Sequence, residues 1–397
     1  DYPPSGESRM TRRVLLRAGT AAMALSGGGG LAHANAPATA RTAENGQEWR
    51  NKQAGMAYRR LGRTGMMVSE VVCGGDPIKL DNYRHLQLAV EMGLNYLDMA
   101  PAYNDGDTER AYGKLISEAP VNRDRVYLTT KISGFTQMRE QKYEEIFKGL
   151  PGGKQEAVRK RALELREARA VEKPGYFLTY FPGQGGQLDP AYLRVAMMAE
   201  YRHQVEGDPA FRRFITESLE GSLKRLGTDH VDIMMCPHGA TTPEELRCPE
   251  IVETFSELKR AGKVRFLGVS AHNDPAAILR AATESGDYDV VMLAYNVING
   301  GYLEEPLRQA AAKGVGVVAM KVAHAVATHH KALQPVPDWR VQMINRVVPG
   351  DMKAPVKAYL WALQNPHISA VISNLWDEAY VRENLAIAGK KIELRSA

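Results

Sequence analysis

Eight short apolar runs, rich in β-branched residues and each followed by a longer helix-like stretch, decide what this 397-residue chain can fold into. They read VSEVVCGG, NYLDMA, RVYLTTKI, VDIMMC, KVRFLGVS, DVVMLAY, GVGVVAMK and HISAVISN, all beyond residue 58. Each is nearly uniformly apolar, so both faces of the strand should be buried, as in a parallel sheet. The intervening stretches, such as TERAYGKLI and IVETFSELKRAG, carry helical spacing. Several stop at a glycine (Gly227, Gly262, Gly314), where a left-handed cap ends a helix. Eight strand-then-helix units over 58–397 predict an α/β fold of the closed (β/α)8 TIM-barrel kind. A doubly wound open sheet is the competing architecture, but no GxGxxG follows the first strand. Before that strand, YRRLGRTGMMVSE reads as a hairpin capping the barrel floor.

Two connections are too long for a compact unit: an insertion at about 133–211 after strand three, and 322–352 after strand seven. Both leave the C-terminal ends of strands, where barrel enzymes place their sites. The first holds a charged helix pattern (154–173) and then GYFLTYFPGQGGQ, an aromatic cluster followed by glycines. That segment suits either an oligomer contact or surface flap, or a lid lending apolar or sugar-stacking walls to the mouth.

Composition excludes several function classes. A formal charge of +5, with basic residues interleaved with acids, gives no nucleic-acid surface. Cys73, Cys236 and Cys248 fit no paired-CxxC metal pattern and no disulfide framework, so no metal is expected. The stretch TRRVLLRAGTAAMALSGGGGLAHANA pairs twin arginines (Arg12, Arg13) and a mild apolar run with a small-residue cleavage site, Ala34-Asn35-Ala36. It resembles a twin-arginine export signal ending at Ala36, with a linker over 37–57. Export to the periplasm or beyond follows as the expectation. The apolar run is too short and glycine-rich for a stable membrane span.

The chemistry concentrates in NYLDMAPAYNDGDTERAYGKLI. Asp98 ends a buried strand and so needs a partner. Lys131, which ends the next strand, offers one, and Tyr103 lies on the loop just beyond Asp98. Reduction of a carbonyl by hydride transfer builds charge on oxygen, which then requires a proton. A tyrosine beside a cation is a better acid than one with its ordinary pKa near 10. In this reading Lys131 tunes Tyr103, and Asp98 orients Lys131. From chemistry alone, the set reads equally as a structural ion pair beside an unrelated tyrosine.

These three residues, together with SLKRLGTDHVD, GKVRFLGVS and VRENLAIAG, resemble the aldo/keto reductase family over about 58–132 and 212–390. The resemblance implies a nicotinamide cofactor, NADP or NAD, extended across the C-terminal face of the barrel. It also implies a small carbonyl or sugar substrate. A histidine completes the family's tetrad, but its slot is Pro237 here and His238 comes one residue late. Side chains alternate along a strand, so a bulge at Pro237 is needed to turn His238 into the site. The cofactor positions implied are Gly75, Asp76, Ser270, Tyr295, Lys321, Ser373, Arg382, Glu383 and Asn384. The asparagine that follows the family's serine is Ala271, with His272 and Asn273 as neighbouring alternatives, and the usual glutamine on strand six is Met292. Asn374, Leu375 and Tyr380 occupy the places that grip a 2′-phosphate in the family, leaving Arg382 as the nearest guanidinium. The competing function is a degenerate barrel that binds a ligand or partner without redox turnover.

Overall fold

A computed structural model describes residues 42–44, 46–328 and 334–396. The export signal read at 1–36 lies outside these residues. Eight parallel strands close into a barrel: β1 (Val71–Gly74), β2 (Tyr96–Asp98), β3 (Tyr127–Lys131), β4 (Val231–Met235), β5 (Val264–Ala271), β6 (Val290–Ala294), β7 (Gly316–Met320) and β8 (Ala370–Ser373). Each pairs in parallel with its neighbours in sequence, and β8 closes on β1 through Val371–Val71 and Ser373–Cys73. The expected (β/α)8 barrel is therefore the observed one.

Alternation explains why the runs had to be apolar throughout. Val72, Ile233, Met235, Val290, Met292, Val318 and Met320 fill the barrel interior together with Tyr96 and Tyr127. Their neighbours Val71, Cys73, Met234, Val291, Leu293, Val317 and Ala319 face the surrounding helices. The predicted hairpin forms as Tyr58–Arg60 paired antiparallel with Met66–Ser69. From it, Leu61, Met66 and Val68 plug the interior from below.

The segment read as a linker, 37–57, is over residues 46–57 part of the fold instead. Gln47–Trp49 adds a strand to the hairpin, and the reason is electrostatic. Asp232, fully buried on β4, meets Arg50 at 3.1 Å, Arg123 at 2.8 Å and Arg265 at 2.7 Å. It also accepts the Leu128 N–H at 2.9 Å. Asp232 is a charged residue in an otherwise apolar strand, and its cations come from three distant segments.

The insertion is not a detachable flap. It folds as the helices Phe135–Gly149, Gly152–Arg169 and Leu188–Tyr201. Phe135, Tyr143, Phe147, Leu188, Tyr192 and Met197 are buried in the same core as the barrel helices. Arg194, 1% exposed, crosses from the last helix to Glu245 and Glu140, each at 2.8 Å.

Burial alone would raise the Asp232 pKa, but Arg123, Arg50 and Arg265 outweigh it and hold the carboxyl below its ordinary range. Its contribution to stability is thus present above the unfolded carboxylate value and is lost only as pH falls well below that value. Asp232→Asn should cost about 3–5 kcal/mol, because it leaves Arg123 against a neutral amide and Arg50 and Arg265 with the Glu48 carboxylate alone. Urea denaturation at neutral pH measures this, and a loss under about 1 kcal/mol, the scale of an exposed pair, would contradict the buried-cluster account.

Candidate active site

The C-terminal ends of β2 and β3 lie side by side, with Asp98 paired to Thr129. That register brings the Lys131 ammonium to 2.6 Å from Asp98 Oδ1, where it also donates to the Met99 carbonyl at 2.7 Å. Both residues are buried, Lys131 at 1% and Asp98 at 3% exposure. Tyr103 closes over them, its ring centroid 4.8 Å from Lys131 Nζ. The turn that carries Tyr103 is unusual, since Asn104 and Asp105 both hold left-handed backbone at φ near +50°. Asn104 Nδ2 secures the turn, donating to the Asp76 carbonyl at 2.9 Å and to Thr108 Oγ1 at 3.1 Å. At Gly75 an added Cβ would lie 2.5 Å from the Asp98 carbonyl oxygen, so only glycine lets β1 end against β2.

Burial pushes the Tyr103 pKa up, as does Asp98, while Lys131 pulls it back down. The net direction is upward, contrary to the acidifying effect expected from the cation alone. Tyr103 therefore holds its proton through neutral pH. For Lys131, burial favours the neutral amine, but Asp98 and Tyr103 together outweigh it and keep the ammonium charged. Burial raises Asp98 against the opposing pull of Lys131; with a donor at 2.6 Å we take the pair as ionised.

His238 reaches the same mouth, its ring edge-on to Tyr103 with centroids 6.1 Å apart. The expected bulge within β4 is absent. The strand stays in register to its end, Met235 opposite Gly268. The extra residues come afterwards: Ala240 bridges Ala271, so five steps along this chain match three along β5. That excursion turns His238 inward. Ser133 Oγ holds the ring through Nδ1 at 2.8 Å. Burial, then Lys131 and Lys321, push the His238 pKa down to about 3, so the imidazole is neutral.

A cleft at this mouth is lined by Asp98, Tyr103, Gly75, Asp76 and His272. Lys321, in left-handed conformation at φ +60°, lines it too, as do Trp376, Tyr380, Glu383 and Asn384. Five of the expected cofactor positions thus face it: Gly75, Asp76, Lys321, Glu383 and Asn384. Four do not. Ser270 is buried and accepts the Gly239 N–H at 3.0 Å, steadying the His238 excursion instead of facing a ligand. Tyr295 stacks on Trp361, centroids 5.0 Å apart, behind β6. The buried Ser373 accepts from Asn384 Nδ2 at 2.8 Å and so holds a lining residue without lining the cleft itself. Arg382 turns outward to Glu378. Of the alternatives beside Ala271, His272 faces the cleft, whereas Asn273 is buried and bonded to Gln184 at 2.9 Å.

Ser133, His324, Lys353 and Trp376 escaped sequence reading. Only their positions just past strand ends or beside helix starts would have marked them. The insertion packs at the C-terminal face of the barrel. Tyr180 accepts from Asn296 at the end of β6 at 2.9 Å and lies against His272 and His324, while Phe181 meets His272 edge-on at 5.3 Å.

The cleft suits a nicotinamide dinucleotide: it is bordered by lysine ammonium groups that complement pyrophosphate and by exposed aromatic side chains that suit a base. No group of three or more metal-ligating side chains that could hold an ion occurs among the described residues.

Comparison with known proteins agrees. Residues 77–179 and 196–394 match the sequence model of the aldo/keto reductase family. Aldo-keto reductase AMT2 of Alternaria alternata is 24% identical over 290 residues, covering 67% of this chain and 65% of that relative, just under two thirds of its length. The NADH-specific methylglyoxal reductase of Escherichia coli is 22% identical over 318 residues, 74% of this chain and 78% of that protein. The holo form of an aldo-keto reductase from Bacillus halodurans superposes with a TM-score of 0.56 at 20% identity, over 85% of this chain and 92% of that one, a likeness of fold. Barrel, mouth cluster and family match converge: the chain belongs to the aldo/keto reductase family.

Proposed function

We propose that this protein is a nicotinamide-dependent carbonyl reductase, acting on a small aldehyde, ketone or sugar through Tyr103, Lys131, Asp98 and His238. One observation carries the reading: the buried Lys131 ammonium, 2.6 Å from Asp98, lies beneath the Tyr103 ring, with His238 edge-on beside it. The nicotinamide, when bound, supplies or accepts the hydride. Tyr103 gives its proton to the substrate oxygen in reduction and takes it back in oxidation. Lys131 stabilises the phenolate left behind, and Asp98 fixes the ammonium. Neutral His238 donates a hydrogen bond to the substrate oxygen, with Ser133 holding the opposite ring nitrogen. Binding without redox turnover would leave this buried ion pair and its tyrosine without a use.

The insertion supports the substrate class. Phe181 and Tyr180 bring aromatic rings to His272 at the mouth, and burial holds that imidazole neutral as well. Aromatic rings beside neutral imidazole donors suit an uncharged, polyhydroxylated carbonyl compound. Export through the twin-arginine route belongs to the same proposal and rests on Arg12, Arg13 and the Ala34-Asn35-Ala36 site. A cell-fractionation assay with mass measurement of the mature N-terminus tests it; an uncleaved cytoplasmic product would overturn it.

Tyr103→Phe should lower kcat by roughly 10²–10⁴-fold while leaving dinucleotide affinity unchanged, because it removes only the proton donor. Steady-state kinetics with an aldehyde and a sugar panel, beside cofactor titration, checks both halves. A variant with wild-type turnover would remove Tyr103 from the chemistry.

The pH profile has a definite sign. His238 is neutral above about 3, so its protonation should cost no reductase activity between pH 5 and pH 8. Tyr103 must be protonated to donate, and its pKa lies above the ordinary value near 10. Reduction should therefore hold up to mildly alkaline pH and fall only beyond it. An inflection near pH 6.5 that vanishes in His238→Ala would contradict the neutral imidazole.

A further inference from the structure

We infer that His272 reads a second oxygen of the substrate: its imidazole bonds a hydroxyl on the carbon next to the carbonyl, so that α-hydroxy aldehydes and ketones are preferred to plain ones. The inference rests on the proposed function and adds the residue that discriminates among its substrates. His272 comes one residue past the end of β5. The excursion that carries His238 runs against that same strand end. Ser270 N–H donates to the Pro237 carbonyl at 3.3 Å, Gly239 N–H donates to Ser270 Oγ at 3.0 Å, and Ala240 bridges Ala271. The two imidazoles therefore rise from neighbouring segments, and His272 lines one cleft with Tyr103 and Asp98. The electrostatics agree: Lys321 and Lys131 act on both rings, and His238 acts on His272. A carbonyl held by Tyr103 and His238 thus presents its adjoining carbon in the same mouth as His272.

The surroundings of the ring fix it in place without occupying it. Phe181 meets it edge-on at 5.3 Å, and the Tyr180 ring lies 6.4 Å away, centroid to centroid. Phe181 has no polar atom, and the Tyr180 hydroxyl is bonded to Asn296. The next residue along the chain is locked. Asn273 accepts from Gln184 at 2.9 Å and donates to Gln187 at 3.0 Å, both on the insertion, and it donates to Thr241 at 3.2 Å. Burial pushes the His272 pKa well below the ordinary imidazole value, and neither ring nitrogen makes a hydrogen bond among the described residues. A desolvated polar group left without a partner is costly. The neutral ring carries one donor and one acceptor, and a hydroxyl offers the complement of both. An alkyl chain in the same place would leave the ring unsatisfied. A site built to bond a hydroxyl rejects the analogue that lacks it for that reason.

Steady-state kinetics of the full chain, with NADH and NADPH each offered, compares glyceraldehyde with propanal, the same carbon chain without hydroxyls. The wild type should favour glyceraldehyde in kcat/KM by about tenfold or more, the scale of one neutral hydrogen bond and the desolvation it relieves. His272→Phe keeps a ring against Tyr180 and Phe181 but removes both nitrogens. It should cost glyceraldehyde about tenfold more than it costs propanal, chiefly through KM. His272→Asn, which keeps a donor and an acceptor, should retain more of the preference, and circular dichroism checks that both variants are folded. A wild type that reduces the two aldehydes equally well would overturn the inference alone. Equal losses on both aldehydes in His272→Phe, with weaker dinucleotide binding, would also overturn it, by setting His272 against the cofactor. No turnover of either aldehyde by the wild type with either dinucleotide would overturn the proposed function, and the inference with it.

Discussion

An ammonium buried at the mouth of a barrel is costly unless it is paired, and the contact of Lys131 with Asp98 at 2.6 Å is what makes this one tolerable. Much of the local architecture follows from that need. The parallel register of β2 and β3 delivers the two charges side by side. The Met99 carbonyl takes a second ammonium hydrogen, and the left-handed turn at Asn104 and Asp105 folds Tyr103 over the pair. Strained backbone of this kind persists where surrounding contacts over-determine it, and Asn104 is bonded to the loop after β1 for that purpose.

Because the site stands on strand ends, the loops beyond them decide its chemistry. The excursion after β4 presents His238, and two serines, one just past β3 and one on β5, fix that excursion: Ser133 at the ring and Ser270 at the Gly239 amide. The insertion after β3 packs at the same face of the barrel. It is anchored at Asn273 and Asn296 on the outgoing ends of β5 and β6 and by the buried Arg194. Its aromatic residues therefore occupy defined places against His272 and His324, two residues that line the cleft.

The barrel was legible because burial on both faces writes an unbroken apolar run, and Asp98 and Lys131 were legible because charge at the end of such a run demands a partner. Pairing partners distant in sequence left no such trace. Asp232 gave no hint that Arg50, in a stretch that reads as linker, completes its shell. Ser270 and Ser373 show the same limit: strand position told where each lies, but not that Gly239 and Asn384 take up the hydroxyls. His238 was read correctly as a mouth residue and wrongly as the product of a bulge, since periodicity cannot register an excursion that begins after the strand has ended.

The Lys131 charge lowers the proton affinity of Tyr103 against the stronger upward push of burial. This effect is tested most directly by titrating Tyr103 through ring-carbon NMR in the wild type and in Lys131→Met, with Tyr103→Phe assigning the signal among 17 tyrosines. Lys131 lowers the Tyr103 pKa, and its effect exceeds the opposing one of Asp98. Removing the ammonium should therefore raise the pKa further, even if Asp98 then takes up a proton. A Tyr103 pKa that stays unchanged or falls in Lys131→Met would contradict the account.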